Sequence, residues 1–249
     1  MRIFTIDVGN THTHCALVEN GSVLNASDFG TSAFPDEFDF SDLKKNCDGV
    51  AWCSVVPEMN PKISEKFAKF GIADFQLDSK NSPMLLDVKN PEQVGQDRIA
   101  AAVGAGKFFE PPYIVVDMGT AVTIDLVDKS GRYAGGAIAP GLYAFTAYLS
   151  EKTAQLPMIN PKDADFNLVI GKNTLEAMNV GCVKGFCKLA DGIIGDFEKS
   201  FFGGELAAPK TVFTGGSVGV LPENWIAGRL VEPSLANIGL AMAFEMVSK

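Results

Sequence analysis

Two short segments of the chain combine an acid, a glycine and a hydroxyl in an order suited to binding phosphate groups. They are Asp7-Val8-Gly9-Asn10-Thr11 and Asp117-Met118-Gly119-Thr120. In each segment glycine lets the backbone approach an anion closely, threonine can donate a hydrogen bond, and aspartate can hold a cation or its waters. Either segment alone is also compatible with an ordinary turn. The presence of two copies favours contact with a metal-bound phosphate.

The two segments open matching halves of a repeated unit. Asp117, Gly119 and Gly131 lie at one common offset, 110 residues, from Asp7, Gly9 and Gly21. An apolar, β-branched run precedes each acid, and a hairpin pattern follows it. We interpret this as an internal duplication of a strand, a phosphate-binding turn and a hairpin. If the two turns face one another, they form a nucleotide cleft with two carboxylates.

The elements that must position these turns indicate an α/β fold. In the first half we predict strands over 2–8, 12–18, 22–28, 49–56 and 75–78, with helices over 60–70 and 99–109. In the second half we predict strands over 112–116, 122–127 and 210–214, and helices over 142–153 and about 175–199. Three strands in hairpins followed by alternating helix and strand is the ribonuclease-H-like order. The prediction is two ribonuclease-H-like domains in tandem, 1–111 and 112–249, with the nucleotide cleft between them.

Composition excludes several other classes of protein. The 249 residues are 47% hydrophobic and carry a net charge of −9, without a cluster of lysine and arginine, so neither nucleic acid nor an anionic membrane is an expected partner. No apolar run approaches the length of a membrane span. Five cysteines, with no C-x-x-C motif and no signal peptide, predict reduced thiols and a cytoplasmic location.

A second group of candidate residues is Gly95-Gln96-Asp97-Arg98, at the start of a predicted helix. One interpretation is structural, with Asp97 complementing the helix dipole and Arg98 in a surface ion pair. The other is functional, with Asp97 as the base on a substrate hydroxyl and Arg98 as an anchor for a substrate anion. A catalytic histidine is not predicted, and we expect at most one of His12 and His14 to reach the site.

Taken together, these motifs resemble those of the type III pantothenate kinases. The resemblance covers nearly the whole chain and rests on the following segments, in the order of that family: Asp7-Val-Gly-Asn-Thr11, Gly95-x-Asp97-Arg98, Asp117-x-Gly-Thr-Ala121-x-Thr-x-Asp125, Gly135-Gly-x-Ile-x-Pro-Gly141, Asn173-Thr174 and Thr214-Gly-Gly216. The resemblance implies membership of the acetate and sugar kinase/Hsc70/actin superfamily, an actin-like ATPase fold and a homodimer whose interface helps to form the pantothenate pocket.

The resemblance also implies roles for individual residues. The ATP phosphates would be bound by Asp7, Val8, Gly9, Asn10, Thr11, His12, Thr13, His14 and Thr120. Pantothenate would be bound by Gly95, Gln96, Asp97, Arg98 and Thr174, with Asp97 as the proton acceptor. Asp117 would hold the monovalent cation, K⁺ or NH₄⁺, that this family requires beside Mg²⁺. Val88 stands where the family often has tyrosine, so an aromatic contact to pantothenate is not expected at that position.

The expected reaction is ATP-dependent phosphorylation of pantothenate to 4'-phosphopantothenate, the first step of coenzyme A biosynthesis. Two alternatives stay open at this point. One is another small-molecule kinase of the same superfamily, acting on a sugar or an acyl acid. The other is a nucleotide-binding regulator without turnover, against which the joint presence of Asp7, Asp97 and Asp117 counts.

Overall fold

A computed structural model describes residues 1–202 and 210–248 of the chain. Two compact units emerge. The first contains Met1–Pro111, Val127–Gly135 and Ser234–Lys249, and the second contains Pro112–Leu126 and Gly136–Pro233. The chain first passes between the units after Pro111. The predicted division into domains 1–111 and 112–249 stays a prediction. Residues from 234 onward, which the predicted division gives to the second domain, lie in the first unit.

The elements alternate between strands and helices along the chain. The strands are β1 (Arg2–Val8), β2 (His12–Glu19), β3 (Ser22–Gly30), β4 (Gly49–Ser54), β5 (Asp74–Gln76), β6 (Tyr113–Met118), β7 (Ala121–Val127), β8 (Tyr133–Pro140), β9 (Lys210–Thr214) and β10 (Leu230–Val231). The helices are α1 (Leu43–Asn46), α2 (Asn60–Phe70), α3 (Gln96–Ala105), α4 (Leu142–Lys152), α5 (Thr174–Met178), α6 (Gly185–Phe202), α7 (Glu223–Ile226) and α8 (Leu235–Val247). In the described ranges no helix combines the length and apolarity needed to cross a membrane.

Two five-stranded sheets share one strand order, which agrees with the predicted duplication. The first sheet runs β3-β2-β1-β4-β5, and the second, taken from its opposite edge, runs β8-β7-β6-β9-β10. In the first sheet β1, β2 and β3 are antiparallel neighbours, whereas β1, β4 and β5 are parallel. In the second, β6, β9 and β10 are parallel. In each sheet the strand that delivers the acidic turn is therefore the central one.

The core of the first unit depends on very close packing of α3 against α8. A Cβ atom at Gly239 would collide with the carbonyl oxygen of Ala100, and one at Gly104 with that of Leu235. The small residues of α3 predict such packing, since only small side chains let two helix backbones approach so closely. From α8, the Asn237 side chain donates hydrogen bonds of 3.1 Å to Thr5 Oγ1 and to the backbone oxygen of His14. The helix that carries Asp97 is thus held against the sheet that carries Asp7.

Two helices differ from their predicted bounds. Helix α3 begins at Gln96 rather than at Ile99, because Gly95 serves as its N-cap and Asp97 accepts a backbone hydrogen bond within the first turn. The helix predicted over about 175–199 is interrupted by a π-helical segment, Asn179–Lys184, between α5 and α6. The apolar pattern of an ordinary helix continues through that segment. The sequence therefore gives no indication that the backbone hydrogen bonds change from the α-helical to the wider π-helical spacing.

Candidate functional site

Asp7 lies near the end of β1, the central strand of the first sheet. Its neighbours across the sheet are His14 on β2 and Cys53 on β4. The Cys53 thiol donates a hydrogen bond of 3.3 Å to Asp7 Oδ1. The carboxylate is therefore positioned by pairing on both sides of β1.

The turn after Asp7 is tight and closed by hydrogen bonds. The Gly9 N–H donates to the His12 carbonyl at 3.0 Å, and a Cβ atom at Gly9 would lie only 2.9 Å from that oxygen. Thr31, which is buried, donates from Oγ1 to the Gly9 carbonyl at 2.7 Å and from its N–H to the Thr11 carbonyl at 3.1 Å. Glycine is thus required at position 9 by the close approach of the His12 carbonyl, a feature that an ordinary tight turn shares with a phosphate-binding turn.

The two histidines lie side by side, which corrects the expectation that at most one would reach the site. Their ring centroids are 6.2 Å apart, and both residues are exposed, whereas Thr13 between them is buried. Residues i and i+2 of a strand share a face, so His12 and His14 point the same way. His14 Nδ1 lies 2.7 Å from Asp28 Oδ1, which ties this face to β3.

Asp7 and Cys53 have unusual ionisation properties for their residue types. Asp7 is half-buried, and loss of hydration raises its pKa, an effect that the charge of His14 and the Cys53 hydrogen bond oppose. Burial, followed by the charges of Asp7 and Asp97, raises the pKa of the Cys53 thiol well above its usual value. The thiol therefore keeps its proton and acts as a hydrogen-bond donor rather than as a nucleophile.

The start of α3 brings the second group of candidate residues to the same edge of the sheet. The Ser54 N–H, at the end of β4, donates to Gln96 Oε1 at 2.9 Å. The Arg98 N–H donates to Asp97 Oδ1 at 2.8 Å, and a Cβ atom at Gly95 would lie 2.5 Å from that same oxygen. Asp97 is thus folded back over the helix start and remains half-buried.

Arg98 is oriented by an aromatic ring. Its guanidinium carbon lies 5.9 Å from the centroid of Tyr133, a fully buried residue at the start of β8. Leu86 pairs with Tyr133 as an isolated parallel bridge, and the Asp87 N–H donates to the Tyr133 carbonyl at 2.9 Å. The segment that contains Val88 is therefore fixed alongside β8.

In the second unit Asp117 occupies the position on β6 that corresponds to Asp7 on β1. Its neighbour on β9 is Thr214, after which Gly215 has a φ of +92°. A Cβ atom at Gly215 would collide with Asp117 Oδ1, so the carboxylate lies directly against bare backbone. Thr120 is exposed on the turn, and its carbonyl accepts a hydrogen bond of 3.1 Å from the Gly141 N–H. This is a second backbone-lined acidic turn, as the duplication predicts.

Thr174 lies elsewhere in the second unit, as the first residue of α5. Asn173 caps this helix by accepting the Glu176 N–H at 2.9 Å, while Glu176 Oε2 accepts the Lys172 N–H at 2.7 Å. Thr174 itself is exposed. The sequence pair Asn173-Thr174 therefore combines a helix cap with an exposed hydroxyl.

Within the first unit the structure brings together the predicted phosphate turn, Asp7 to His14, and the predicted substrate segment, Gly95 to Arg98. The end of β4 links them, because Cys53 contacts Asp7 and Ser54 contacts Gln96. Sequence reasoning missed Cys53, Ser54 and Tyr133, since their roles depend on pairing between distant strands. The prediction that the turns of Asp7 and Asp117 share one cleft stays a prediction.

Comparison with known families gives a single answer. Residues 3–196 match the family model described as type III pantothenate kinase. A type III pantothenate kinase of Listeria monocytogenes serotype 4a is 32% identical over 97% of this chain and 96% of its own. Another, from Streptomyces griseus, is 35% identical over 98% of this chain and 97% of its own.

Solved structures with similar folds have much lower sequence identity. A conserved Campylobacter jejuni protein assigned to the Baf family of transcriptional activators has a TM-score of 0.67 and 19% identity, with 97% of each chain covered. A ROK family glucokinase from Streptomyces griseus, in complex with glucose and AMPPNP, has a TM-score of 0.58 and 12% identity, covering 98% of this chain and all of its own. These likenesses show the fold alone.

Proposed function

This chain belongs to the type III pantothenate kinase family, and from that membership we infer that it phosphorylates pantothenate with ATP, the first step of coenzyme A biosynthesis. The observation that carries this assignment to specific residues is the arrangement at the end of β4. There a phosphate-binding turn and a half-buried acid at a helix start are fixed to one strand. A kinase needs these two parts, one to hold the phosphates of ATP and one to accept the proton of the alcohol.

The phosphates of ATP are bound by the turn after β1. Gly9 provides the close backbone approach, Asn10 and Thr11 are exposed, and His12 and His14 present two imidazoles on one face. In the second unit Thr120 is exposed on the equivalent turn and assists. Preorganised hydroxyl and imidazole groups of this kind stabilise the charge that develops during phosphoryl transfer.

Asp97 accepts the proton of the primary hydroxyl of pantothenate. As the hydroxyl oxygen forms its bond to the γ-phosphorus, the bond to the β-phosphate oxygen breaks and ADP leaves. Arg98, oriented by Tyr133, anchors the pantothenate carboxylate, for which a guanidinium is suited by geometry and charge. Gly95 and Gln96 complete the substrate segment, and Thr174 contributes its exposed hydroxyl.

Asp117 holds a monovalent cation, K⁺ or NH₄⁺, and Mg²⁺ accompanies the ATP. Support for the first comes from the absence of a side chain at Gly215, which leaves the Asp117 carboxylate, a hard oxygen ligand, against the backbone of the turn. A bound cation would neutralise phosphate charge. In the described ranges no group of three or more His, Cys, Asp or Glu side chains is placed to hold a metal.

The protein acts in the cytoplasm as a homodimer, without nucleic acid or membrane as a partner. All five cysteines are free, as suits a reducing compartment. Among the described residues, the second unit exposes eight large apolar side chains, which favours association with another copy. These are Ile138, Tyr143, Tyr148, Met158, Val169, Ile170, Leu175 and Phe201.

A coupled assay of ADP release tests the function directly. We expect turnover with pantothenate and Mg·ATP that depends on K⁺ or NH₄⁺, and none above background with hexoses or acetate. Turnover with a sugar or an acyl acid instead would assign the chain to another kinase of the superfamily. Nucleotide binding without turnover on any acceptor would indicate a regulator.

A further inference from the structure

Cys53 contacts the acid of the phosphate turn, Asp7, and has no assigned role in the reaction. It is fully buried on β4, next to Asp7 on β1, and its thiol donates to Asp7 Oδ1 at 3.3 Å. The parallel pairing of β1 with β4 extends from Ile3 to Val8 on the first strand, so this neighbour relation is fixed by the whole ladder. A thiol placed this way commits one oxygen of the carboxylate to a defined direction.

Ser54, the next residue on β4, links the same strand end to α3. Ser54 donates its N–H to Gln96 Oε1 at 2.9 Å, at the first residue of α3. Its Oγ donates to the Val56 carbonyl at 3.2 Å, which holds the end of β4 in place. The end of β4 is therefore held in place by these hydrogen bonds, independently of the Asp7 side chain that it orients.

A buried cysteine is often only a small apolar residue in a core. Two observations separate Cys53 from that case. Its partner is a half-buried carboxylate rather than a carbonyl of its own helix, as for Cys47, whose thiol donates to Leu43. That carboxylate also opens the turn that binds the phosphates.

We propose that Cys53 is a positioning residue for nucleotide binding, whose S–H donation holds the Asp7 carboxylate in the orientation that the phosphates and their cation require. The proposal rests on the role of Asp7 given above. It concerns binding of the nucleotide rather than proton transfer at the acceptor, which is the task of Asp97.

Equilibrium binding of a non-hydrolysable ATP analogue with Mg²⁺ to the full chain tests this independently of turnover. Cys53→Ala is expected to weaken binding about tenfold, because a hydrogen bond to a charged group is lost. Cys53→Ser keeps a donor and is expected to stay within about threefold of wild type. Cys187→Ala, which removes an equally buried thiol from α6 in the second unit, serves as the control and should leave binding unchanged.

A double-mutant cycle decides whether Cys53 acts through Asp7. In an Asp7→Asn background Cys53→Ala should have less than about a twofold further effect, because the two changes remove the same interaction. Additive effects, or a serine variant as weak as the alanine variant, would overturn the proposal. Cys53→Val is a second variant that lacks a donor and suits a strand, so the comparison with serine holds even if the alanine variant fails to fold.

Steady-state kinetics on the same variants separates this proposal from the proposed function. Cys53→Ala should raise KM for ATP about tenfold and leave KM for pantothenate within about twofold. A purely structural defect would instead change both KM values or lower the unfolding temperature alone, which would count against positioning. If the wild-type protein binds nucleotide but shows no turnover, the proposed function is contradicted. The binding measurements on the Cys53 variants would then still test the positioning role.

Discussion

Asp97 is a half-buried acid in the first turn of α3 and accepts the Arg98 N–H, as an acid that complements the helix dipole should. The adjacent Gln96 accepts the Ser54 N–H at the end of β4, the strand whose Cys53 contacts Asp7. The structural role does not exclude the catalytic one, so a substitution must separate them.

Replacing Asp97 by asparagine should remove the carboxylate that accepts the proton and keep a side chain of the same shape. We expect turnover to fall by roughly two to four decades, because a general base contributes about that much. Nucleotide binding and the unfolding temperature should stay close to wild type. Steady-state kinetics checks the first point, and calorimetry the others.

Glu92→Gln is a suitable control for that experiment, since it removes an exposed acid from the 3-10 turn just before α3. It should leave turnover unchanged. An Asp97→Asn enzyme within a few-fold of wild type would remove Asp97 from the role of base, and only the helix-dipole interpretation would remain.

Asp128 gives a prediction about pH. Burial alone would raise its pKa, but hydrogen bonds from the Arg132 backbone and side chain and from the Ser130 N–H lower it below the ordinary value. A carboxyl with a lowered folded-state pKa stabilises the fold above its unfolded pKa of about 3.9, and this contribution is lost as pH falls through the folded value. Asp128→Asn should therefore lower the unfolding temperature at pH 7, and the difference from wild type should shrink as pH falls below about 3.9.

Scans of unfolding temperature between pH 7 and pH 3 check that expectation. Glu37→Gln, at an exposed acid, should follow the wild-type curve throughout. A difference between Asp128→Asn and wild type that stays constant with pH would show that the carboxyl charge does not stabilise the turn.

Many residues of the candidate site can be predicted from local sequence patterns. The others take their positions from pairing between strands that are distant in the sequence. Asp7 and Gly9, like Asp117 and Gly119 in the second half, can be recognised in the sequence because each turn needs a particular residue type at a particular position. The contacts of Cys53 with Asp7 and of Arg98 with Tyr133 join residues that are 46 and 35 positions apart. Nothing in the composition of either segment specifies such a register, so the sequence did not predict them.

At the scale of elements, α3 and α8 pack with their backbones in direct contact. Both helices place glycine where backbones meet, at Gly104 and Gly239. The small residues of α3 predict close packing, but its partner, more than a hundred residues away, does not follow from the sequence. The π-helical segment was likewise not predictable, because its apolar spacing matches that of an ordinary helix.

Adding a single methyl group at this contact should move α3. We expect Gly239→Ala and Gly104→Ala each to cost about 1–3 kcal/mol, the usual penalty for overpacking. Because α3 carries Gln96 and Asp97, turnover should fall as well. Chemical denaturation and the ADP-release assay measure the two effects.

Gly192→Ala on α6 is the matched control, because a Cβ atom there would meet no neighbour within 4 Å. It should be neutral or stabilise the chain by about 0.5–1 kcal/mol through helix propensity. Equal effects at positions 239 and 192 would show that the close contact between the helices does not limit stability.

At the scale of the whole molecule, the distribution of apolar surface bears on assembly. Tyr143 and Tyr148 on α4 are 68% and 58% exposed, far more than aromatic side chains in a core. Leu24 on β3 is similarly exposed, at 51%, but lies in the first unit. If the second unit provides the dimer surface, these two locations should respond differently to a charge.

Sedimentation should give a mass near twice the 26.5 kDa of the chain. Tyr143→Glu combined with Tyr148→Glu should shift the protein toward the monomer, because desolvating a carboxylate in an interface is unfavourable. Leu24→Glu should leave the mass unchanged. A wild-type monomer across the working concentration range would contradict the proposed homodimer.

The path of the chain has a consequence for biosynthesis on the ribosome. Helix α8 completes the core of the first unit, yet it is translated only after the second unit has emerged. Asn237 then reaches back to Thr5 and His14, across more than two hundred intervening residues. During synthesis the face of α3 that packs against α8 therefore stays uncovered until the end of the chain has been made. The first unit cannot complete its folding before the second unit is translated, although N-terminal domains usually fold first.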